Sequence, residues 1–237
     1  MRLLVKKLFR PLFKRLQYTS LMQAVEEELE IQSYSGVNSR HFEYPFGISE
    51  LLALRKKVNI EEVLDAGSYG SHFGLILASL GFKVTGIDLT PWDIEFPNYT
   101  HFIADLKALP FDDNHFDAIS AISTIEHCGL PRYGDKIDKN GDILAIKEIV
   151  RVLKKGGYLI LTVPYAANSS IYQNKHRVYN KRSFKKLIGK IKIIRQSFFA
   201  PVSDPRIFRP CREKQIEEFR SQNGSHGVIC IVGLKTS

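Results

Sequence analysis

The sequence predicts an α/β fold built on an open, mostly parallel sheet, and three observations carry that prediction. Residues 63–89, VLDAGSYGSHFGLILASLGFKVTGIDL, read as strand, glycine-bearing turn, helix and second strand. Phe116 to Ser123 form a nearly continuous apolar run, the pattern of a parallel strand buried on both faces. Residues 141–155 place Ile143, Leu144, Ile146, Ile149, Val152 and Leu153 at helical spacing, and Tyr158 to Val163 follow as a strand stopped by Pro164. Parallel strands need a crossover, and a helix between two apolar runs is the usual one.

In chain order, residues 1–17 are amphipathic. Leu4, Leu8, Leu12 and Leu16 recur every four residues, Arg2, Lys6, Lys7, Arg10, Lys14 and Arg15 supply the polar face, and Pro11 introduces a kink. The segment reads as an anchor on an anionic membrane surface, as a helix packed on the domain, or as an organelle-targeting peptide. Residues 18–32 continue as a helix whose acids, Glu26 to Glu28 and Glu30, form a solvated face. Residues 33–47 read as an irregular aromatic lead-in carrying Arg40, His41 and Glu43, either closing over a substrate or packing Phe42, Tyr44 and Phe46 on the sheet edge. We therefore divide the chain into a lead-in, 1–47, and one α/β domain, 48–237, opened by a helix from Ile48 to Lys57.

Within the domain, Val63 and Leu64 begin the first strand, Asp65 to Ser71 supply the turn, and His72 to Leu80 carry Phe73, Ile76, Leu77 and Leu80 on one helical face until Gly81. Gly67 and Gly70 permit a tight turn and a close approach of backbone to ligand at the helix N-terminus. Lys83 to Leu89 return as a strand containing Asp88, placed where an acid accepts hydrogen bonds from ribose hydroxyls. The plainer alternative is a structural turn with a solvated Asp. Residues 100–105 make a third strand ending in Asp105. A basic helix is predicted over Lys181 to Ile188, a strand near Ile191 to Phe198, an irregular Pro- and Arg-rich segment over 200–214, and an apolar strand from Gly227 to Lys235.

At 237 residues, with 44% hydrophobic and 25% charged content, the chain suits one globular domain with an extension. Cys128, Cys211 and Cys230 are odd in number and widely spaced, which predicts a reducing, cytoplasmic setting with no disulfide framework and no metal site. No apolar run approaches the ~20 residues needed to span a bilayer. The net charge of +9 is uneven: residues 26–174 hold 13 bases and 21 acids, while residues 175–214 hold 13 bases and two acids. Basic flanks around an acidic centre suggest an anionic partner, whether membrane, nucleic acid or a phosphorylated small molecule.

The order of motifs resembles the class I S-adenosylmethionine-dependent methyltransferases, closely over residues 60–165. Asp65-x-Gly67 is similar to that family's first motif, Asp88 to its ribose-binding acid, and Asp105 in ADLKALPF to the residue that accepts from the adenine amino group, with Leu106 beside it. FDAISAISTIEH is similar to its fourth-strand motif and LKKGGYLILTVP to its fifth-strand motif. Tyr69 and Ser71 stand where the family carries glycines, with Gly70 displaced by one. The resemblance implies a Rossmann-like sheet with helices on both faces and an antiparallel C-terminal strand. It implies S-adenosylmethionine as cofactor, held by Asp65, Gly67, Gly70, Asp88, Asp105 and Leu106. IEHCGLPRYGD, from Ile125, and HRVYN, from His176, resemble a less characterised methyltransferase-like family. The Asn/Asp-Pro-Pro-aromatic signature of amino-directed nucleic-acid enzymes is absent.

Ligands of open α/β sheets gather at the carboxyl ends of the strands, so Glu126 and His127 are expected to face the cofactor. His127 suits a general base because its ordinary pKa lies near neutrality, and Glu126 suits orienting it. The alternative for His127 is a packing histidine at a strand end. Arg132, Tyr133 and Asp135 are expected either to contact a polar acceptor or to brace their own loop. The resulting expectation is O-methylation of a small-molecule or glycan-like acceptor, with a membrane surface as one setting for the reaction. An RNA methyltransferase and a non-catalytic module of the same fold stand as alternatives. Nucleic acid is the weaker partner because the basic segments lack interleaved aromatics.

Overall fold

A computed structural model describes residues 39–133, 137–201, 208–219 and 226–236. The amphipathic segment 1–17, the acidic helix of 18–32 and Asp135 lie outside the described residues.

The described chain opens with helix α1 (Arg40–Arg55). Strand β1 (Glu62–Ala66), helix α2 (His72–Ser79), strand β2 (Lys83–Asp88) and strand β3 (Tyr99–Ile103) follow. Strand β4 (Phe116–Ile122) leads through 3-10 turns at Ile125–His127 and Pro131–Tyr133 to helix α3 (Gly141–Val152) and strand β5 (Leu153–Tyr165). Strands β6 (Ser170–Tyr172) and β7 (His176–Val178) form a separate hairpin. Helix α4 (Lys181–Ile188), strands β8 (Lys192–Pro201) and β9 (Phe208–Cys211), helix α5 (Glu213–Glu218) and strand β10 (Gly227–Leu234) complete it.

The main sheet runs β3-β2-β1-β4-β5-β10-β8-β9. Strands β3 to β5 pair in parallel, with Val63 opposite both Val84 and Ala118, and Ile119 opposite Leu159. Strand β10 enters antiparallel between β5 and β8. Strand order grows outward in both directions from β1 and β4, so the switch point of this doubly wound sheet lies between them. This is the Rossmann-like methyltransferase fold, with its antiparallel C-terminal strand.

Strand alternation divides the core into two layers. Val63, Val84, Ala118, Ile122, Ile160 and Val232 point to one face and meet Tyr44, Ile48 and Leu51 of α1 and Phe73, Leu77 and Ala78 of α2. Leu64, Ile87, Ile119, Leu161 and Ile231 point to the other and meet Ile146 and Ile149 of α3, Phe184 and Leu187 of α4, and Ile216 of α5. Phe73 and Leu77 are fully buried, and each contributes on the order of 1.5–3 kcal/mol of transfer free energy.

Several boundaries differ from the sequence expectation. Residues 40–47 are helical, not irregular, so α1 runs across the division drawn at residue 48. Pro45 and Gly47 both lie inside the helix, which accommodates them. Gly47 faces Phe73 so closely that a Cβ there would lie 2.8 Å from the ring, which makes it a packing glycine. Asp65 belongs to β1 and not to the turn. Lys154, Lys155 and Gly156 lie in β5, because α3 stops at Val152. The segment 200–214 contains β9, which pairs with β8, and the start of α5. The β6–β7 hairpin carried no period-2 signal long enough to be read. Among the described residues no helix is long and apolar enough to cross a membrane.

Candidate active site

A cleft of about 800 Å³, counting its open mouth, lies at the carboxyl ends of β1 to β4. Its walls include Arg40, Gly67, Tyr69, Asp88, Asp105, Leu106, Thr124 and His127. Gly67, Asp88, Asp105, Leu106 and His127 thus share one surface in the structure.

The turn after β1 is shaped by its own backbone. Gly67 and Ser68 both donate to the Ile87 carbonyl, at 2.8 and 3.0 Å, which ties the turn to β2. Gly67 has φ +78°, and a Cβ there would strike the Thr124 side chain at 2.3 Å, so only glycine fits. Asp88 accepts from the Tyr69 amide at 3.1 Å and from the Thr90 amide at 3.0 Å, which fixes its carboxylate at the end of β2. Asp105 accepts from the Lys107 amide and pairs with the Lys107 ammonium at 3.4 Å. Leu89, Ala104 and Leu106 add apolar wall near the two acids.

Asp65 lies beneath this surface. It is buried, and its Oδ1 accepts from the Ser120 hydroxyl at 2.9 Å. Burial pushes its carboxyl up to about 7 against the opposing pull of that hydroxyl. Asp65 thus ties β1 to β4, and Gly70, with open space around its Cα, does not form part of the cleft wall. The two departures from the glycine pattern have structural reasons. Ser71 is the N-cap of α2, accepting from the Phe73 amide, and shares a hydrogen bond with the Tyr44 hydroxyl. Tyr69 is half exposed and sets its ring edge-on to Trp92.

His127 and Glu126 sit on the 3-10 turn after β4. His127 lines the cleft, whereas Glu126 is buried behind it. His127 Nδ1 lies 2.6 Å from the Lys175 carbonyl, and because a carbonyl only accepts, Nδ1 carries the proton and Nε2 the lone pair. Nε2 is 3.7 Å from Glu126 Oε1. Burial pushes the imidazole down to about 4 and the Glu126 carboxyl up to about 8, so at neutral pH the proton resides on Glu126. Glu126 Oε2 is buried without a hydrogen-bond partner among the described residues.

Two loop motifs meet here. Arg177 is buried and donates to the carbonyls of Glu126, Cys128 and Asp138, with an ion pair to Asp142 at 3.6 Å. The Tyr179 hydroxyl donates to Asp142 at 2.9 Å. HRVYN is therefore the clamp that shapes the loop carrying Glu126 and His127, and Arg177 is spoken for structurally. His176 places its ring 6.1 Å from that of His127 and 5.2 Å from that of His226. Arg132 is exposed and absent from the cleft wall, though its charge helps hold His127 and His176 neutral. Tyr133 ends the second 3-10 turn. Among the described residues no group of His, Cys, Asp and Glu is arranged to hold a metal ion.

One pair escaped the sequence reading as a site feature. Arg40 lines the cleft, donating to Glu43 at 3.1 Å and to the Ile122 carbonyl at 3.0 Å. Glu43 is wholly buried and also accepts from the hydroxyls of Ser123 and Thr162, at the ends of β4 and within β5. The partners are 80 and 119 residues away, beyond any local pattern.

Comparison with known proteins agrees with this architecture. A family model described as a Caenorhabditis protein of unknown function, DUF268, matches residues 101–198, the span that holds Asp105, the Glu126–His127 turn and the Arg177 clamp. A demethylmenaquinone methyltransferase of Chlorobaculum tepidum is 26% identical over 134 residues, 54% of this chain and 51% of that protein. A sterol 4-C-methyltransferase of Caenorhabditis elegans is 31% identical over 125 residues, 48% of this chain and 33% of that protein. The chain thus spans about half and a third of the length of these relatives. The crystal structure of Burkholderia thailandensis 1,6-didemethyltoxoflavin-N1-methyltransferase, with its acceptor and S-adenosylhomocysteine bound, superposes with a TM-score of 0.59 at 12% identity, covering 93% of this chain and 87% of that one. The chain thus has the Rossmann-like methyltransferase fold, with its cleft at the carboxyl ends of the parallel strands.

Proposed function

We propose that the protein is an S-adenosylmethionine-dependent methyltransferase that methylates oxygen on a small molecule. The observation that carries the reading is the convergence of Asp88, Asp105 and His127 on one cleft at the sheet's switch point. The donor chemistry fits the cofactor. Two carboxylates at the ends of neighbouring strands accept from a ribose diol and an adenine amine, and the apolar wall of Leu89, Ala104 and Leu106 suits a flat purine. The relatives' names add methyltransfer to a quinone-type compound and a sterol, both small molecules.

When bound, the cofactor supplies a methyl group on a positively charged sulfur. The chain's own residues orient the acceptor hydroxyl and take its proton. The Lys175 carbonyl holds His127 in the tautomer with its lone pair on Nε2, and Nε2 is the atom that would take that proton. The imidazolium so formed lies 3.7 Å from Glu126 Oε1, so the Glu126 carboxyl keeps its own proton and turns an acceptor oxygen toward the new N–H. A base this weak matches an acidic hydroxyl, phenolic or enolic, better than a sugar alcohol. The test is transfer of isotopically labelled methyl groups to a panel of phenols, enols and glycosides. His127→Asn is expected to lower kcat at least 100-fold while cofactor affinity stays within twofold. Labelling of glycosides alone, or wild-type turnover by the His127→Asn variant, would overturn the assignment.

A further inference from the structure

We propose that helix α1 completes the cofactor site and that Arg40 binds the carboxylate at the amino-acid end of the cofactor. This rests on the cofactor reading given under Proposed function and adds a residue that none of the sequence motifs contains. Sheet order gives the cleft a direction. Asp105 and Asp88 stand at the ends of β3 and β2, whereas Gly67 and Thr124 stand beyond the ends of β1 and β4. Arg40 is fixed at the β4 side by its bond to the Ile122 carbonyl. A ligand with its nucleoside on the two acids therefore extends its other end toward Arg40. Among the described residues that line the cleft, Arg40 is the one formal cation, because His127 is neutral.

The support behind Arg40 is a built one. Glu43 has no exposure, while the Arg40 side chain is 37% exposed, so the acid lies behind the guanidinium and the guanidinium forms the wall. Glu43 is itself held by Ser123 and Thr162. The Tyr44–Ser71 bond joins α1 to the end of the turn that carries Gly67. Phe42 stacks on Phe199 at 4.0 Å, which anchors the start of the helix to β8. A planar guanidinium presents donors along more than one edge, so an acid behind it and a ligand carboxylate before it are compatible.

The experiment is calorimetric titration of the full chain with S-adenosylhomocysteine and with 5′-methylthioadenosine, which keeps the nucleoside and sulfur but lacks the amino-acid carboxylate. Wild type is expected to prefer S-adenosylhomocysteine. Arg40→Gln is expected to lose about 10- to 100-fold of affinity for it, the scale of a lost hydrogen bond to a charged group, and less than twofold for methylthioadenosine. Arg40→Lys should recover part of the loss. The Arg40→Gln/Glu43→Gln double variant, which strands no charge, should behave as Arg40→Gln if the single variant folds poorly. Equal loss for both ligands would make α1 a structural support only, and no loss for either would remove Arg40 from the site. Both results overturn the proposal while leaving the cofactor reading intact. Wild type that binds neither ligand overturns both.

Discussion

Glu43→Ala is the perturbation that reports most directly on whether α1 is integral to the domain. Glu43 is fully buried and holds three groups: Arg40 at 3.1 Å and the hydroxyls of Ser123 and Thr162. Hydrogen bonds to a charged acceptor are worth about 1.5 kcal/mol each at the lower end, which gives about 3 kcal/mol for the two hydroxyls. The ion pair adds less than about 1 kcal/mol, because Arg40 is 37% exposed and water screens it. Dehydrating the carboxylate in the native state offsets part of this gain. The alanine variant should then be about 3 kcal/mol less stable, a large share of the about 5–15 kcal/mol typical of a domain. Glu43→Gln, which keeps an acceptor for the hydroxyls, should cost about 1 kcal/mol. Equilibrium urea unfolding, followed by circular dichroism and by Trp92 fluorescence, measures both. A loss below 0.5 kcal/mol for the alanine variant would refute the reasoning.

Other consequences are equally specific. Glu126 has a carboxyl raised to about 8 by burial, against an ordinary 4.5, so the folded state holds a proton the unfolded state has released between those values. Its contribution to stability is full below pH 4.5 and is lost as pH rises through 8. From pH 6.5 to 8.0 wild type should lose at most about 2 kcal/mol relative to Glu126→Gln, at 1.36 kcal/mol per unit, and parallel stability curves would contradict the buried acid. Arg177→Met should destabilise by about 3–5 kcal/mol, because it strands the buried Asp142 carboxylate and frees three carbonyls, and thermal melts would show it. Gly67→Ala should cost at least about 2 kcal/mol from its positive φ and the Thr124 clash, and wild-type stability in that variant would show the turn to be adaptable.

The parts of the fold that were legible in the sequence are those set by local chemistry. The Gly67 turn, the β1–α2–β2 unit and the apolar β4 run all declare themselves within about 30 residues, and the acids Asp88 and Asp105 follow their strands directly. Arg40 and Glu43 were not legible as a site pair, since burial of Glu43 depends on hydroxyls from β4 and β5 that only the folded sheet brings near. The helix that carries the pair, Arg40–Arg55, begins inside the stretch read as an irregular lead-in. Arg177, within HRVYN, carries no local signal of its part in the fold. Its role is set instead by three backbone carbonyls of a loop some 40–50 residues earlier, a demand no sequence pattern displays. Glu126 and His127 were recognised together, but only the fold separates the imidazole on the wall from the carboxyl behind it.

The most direct test of the central claim is a calorimetric titration of the full chain with S-adenosylmethionine at pH 7.5, read in parallel through Trp92, whose ring meets that of Tyr69 on the cleft wall. The account predicts one site per chain with a Kd of about 1–100 μM, a quenched or shifted Trp92 signal, and at least a tenfold weaker Kd for Asp88→Ala. A folded protein that shows no heat and no fluorescence change up to about 1 mM ligand would contradict it.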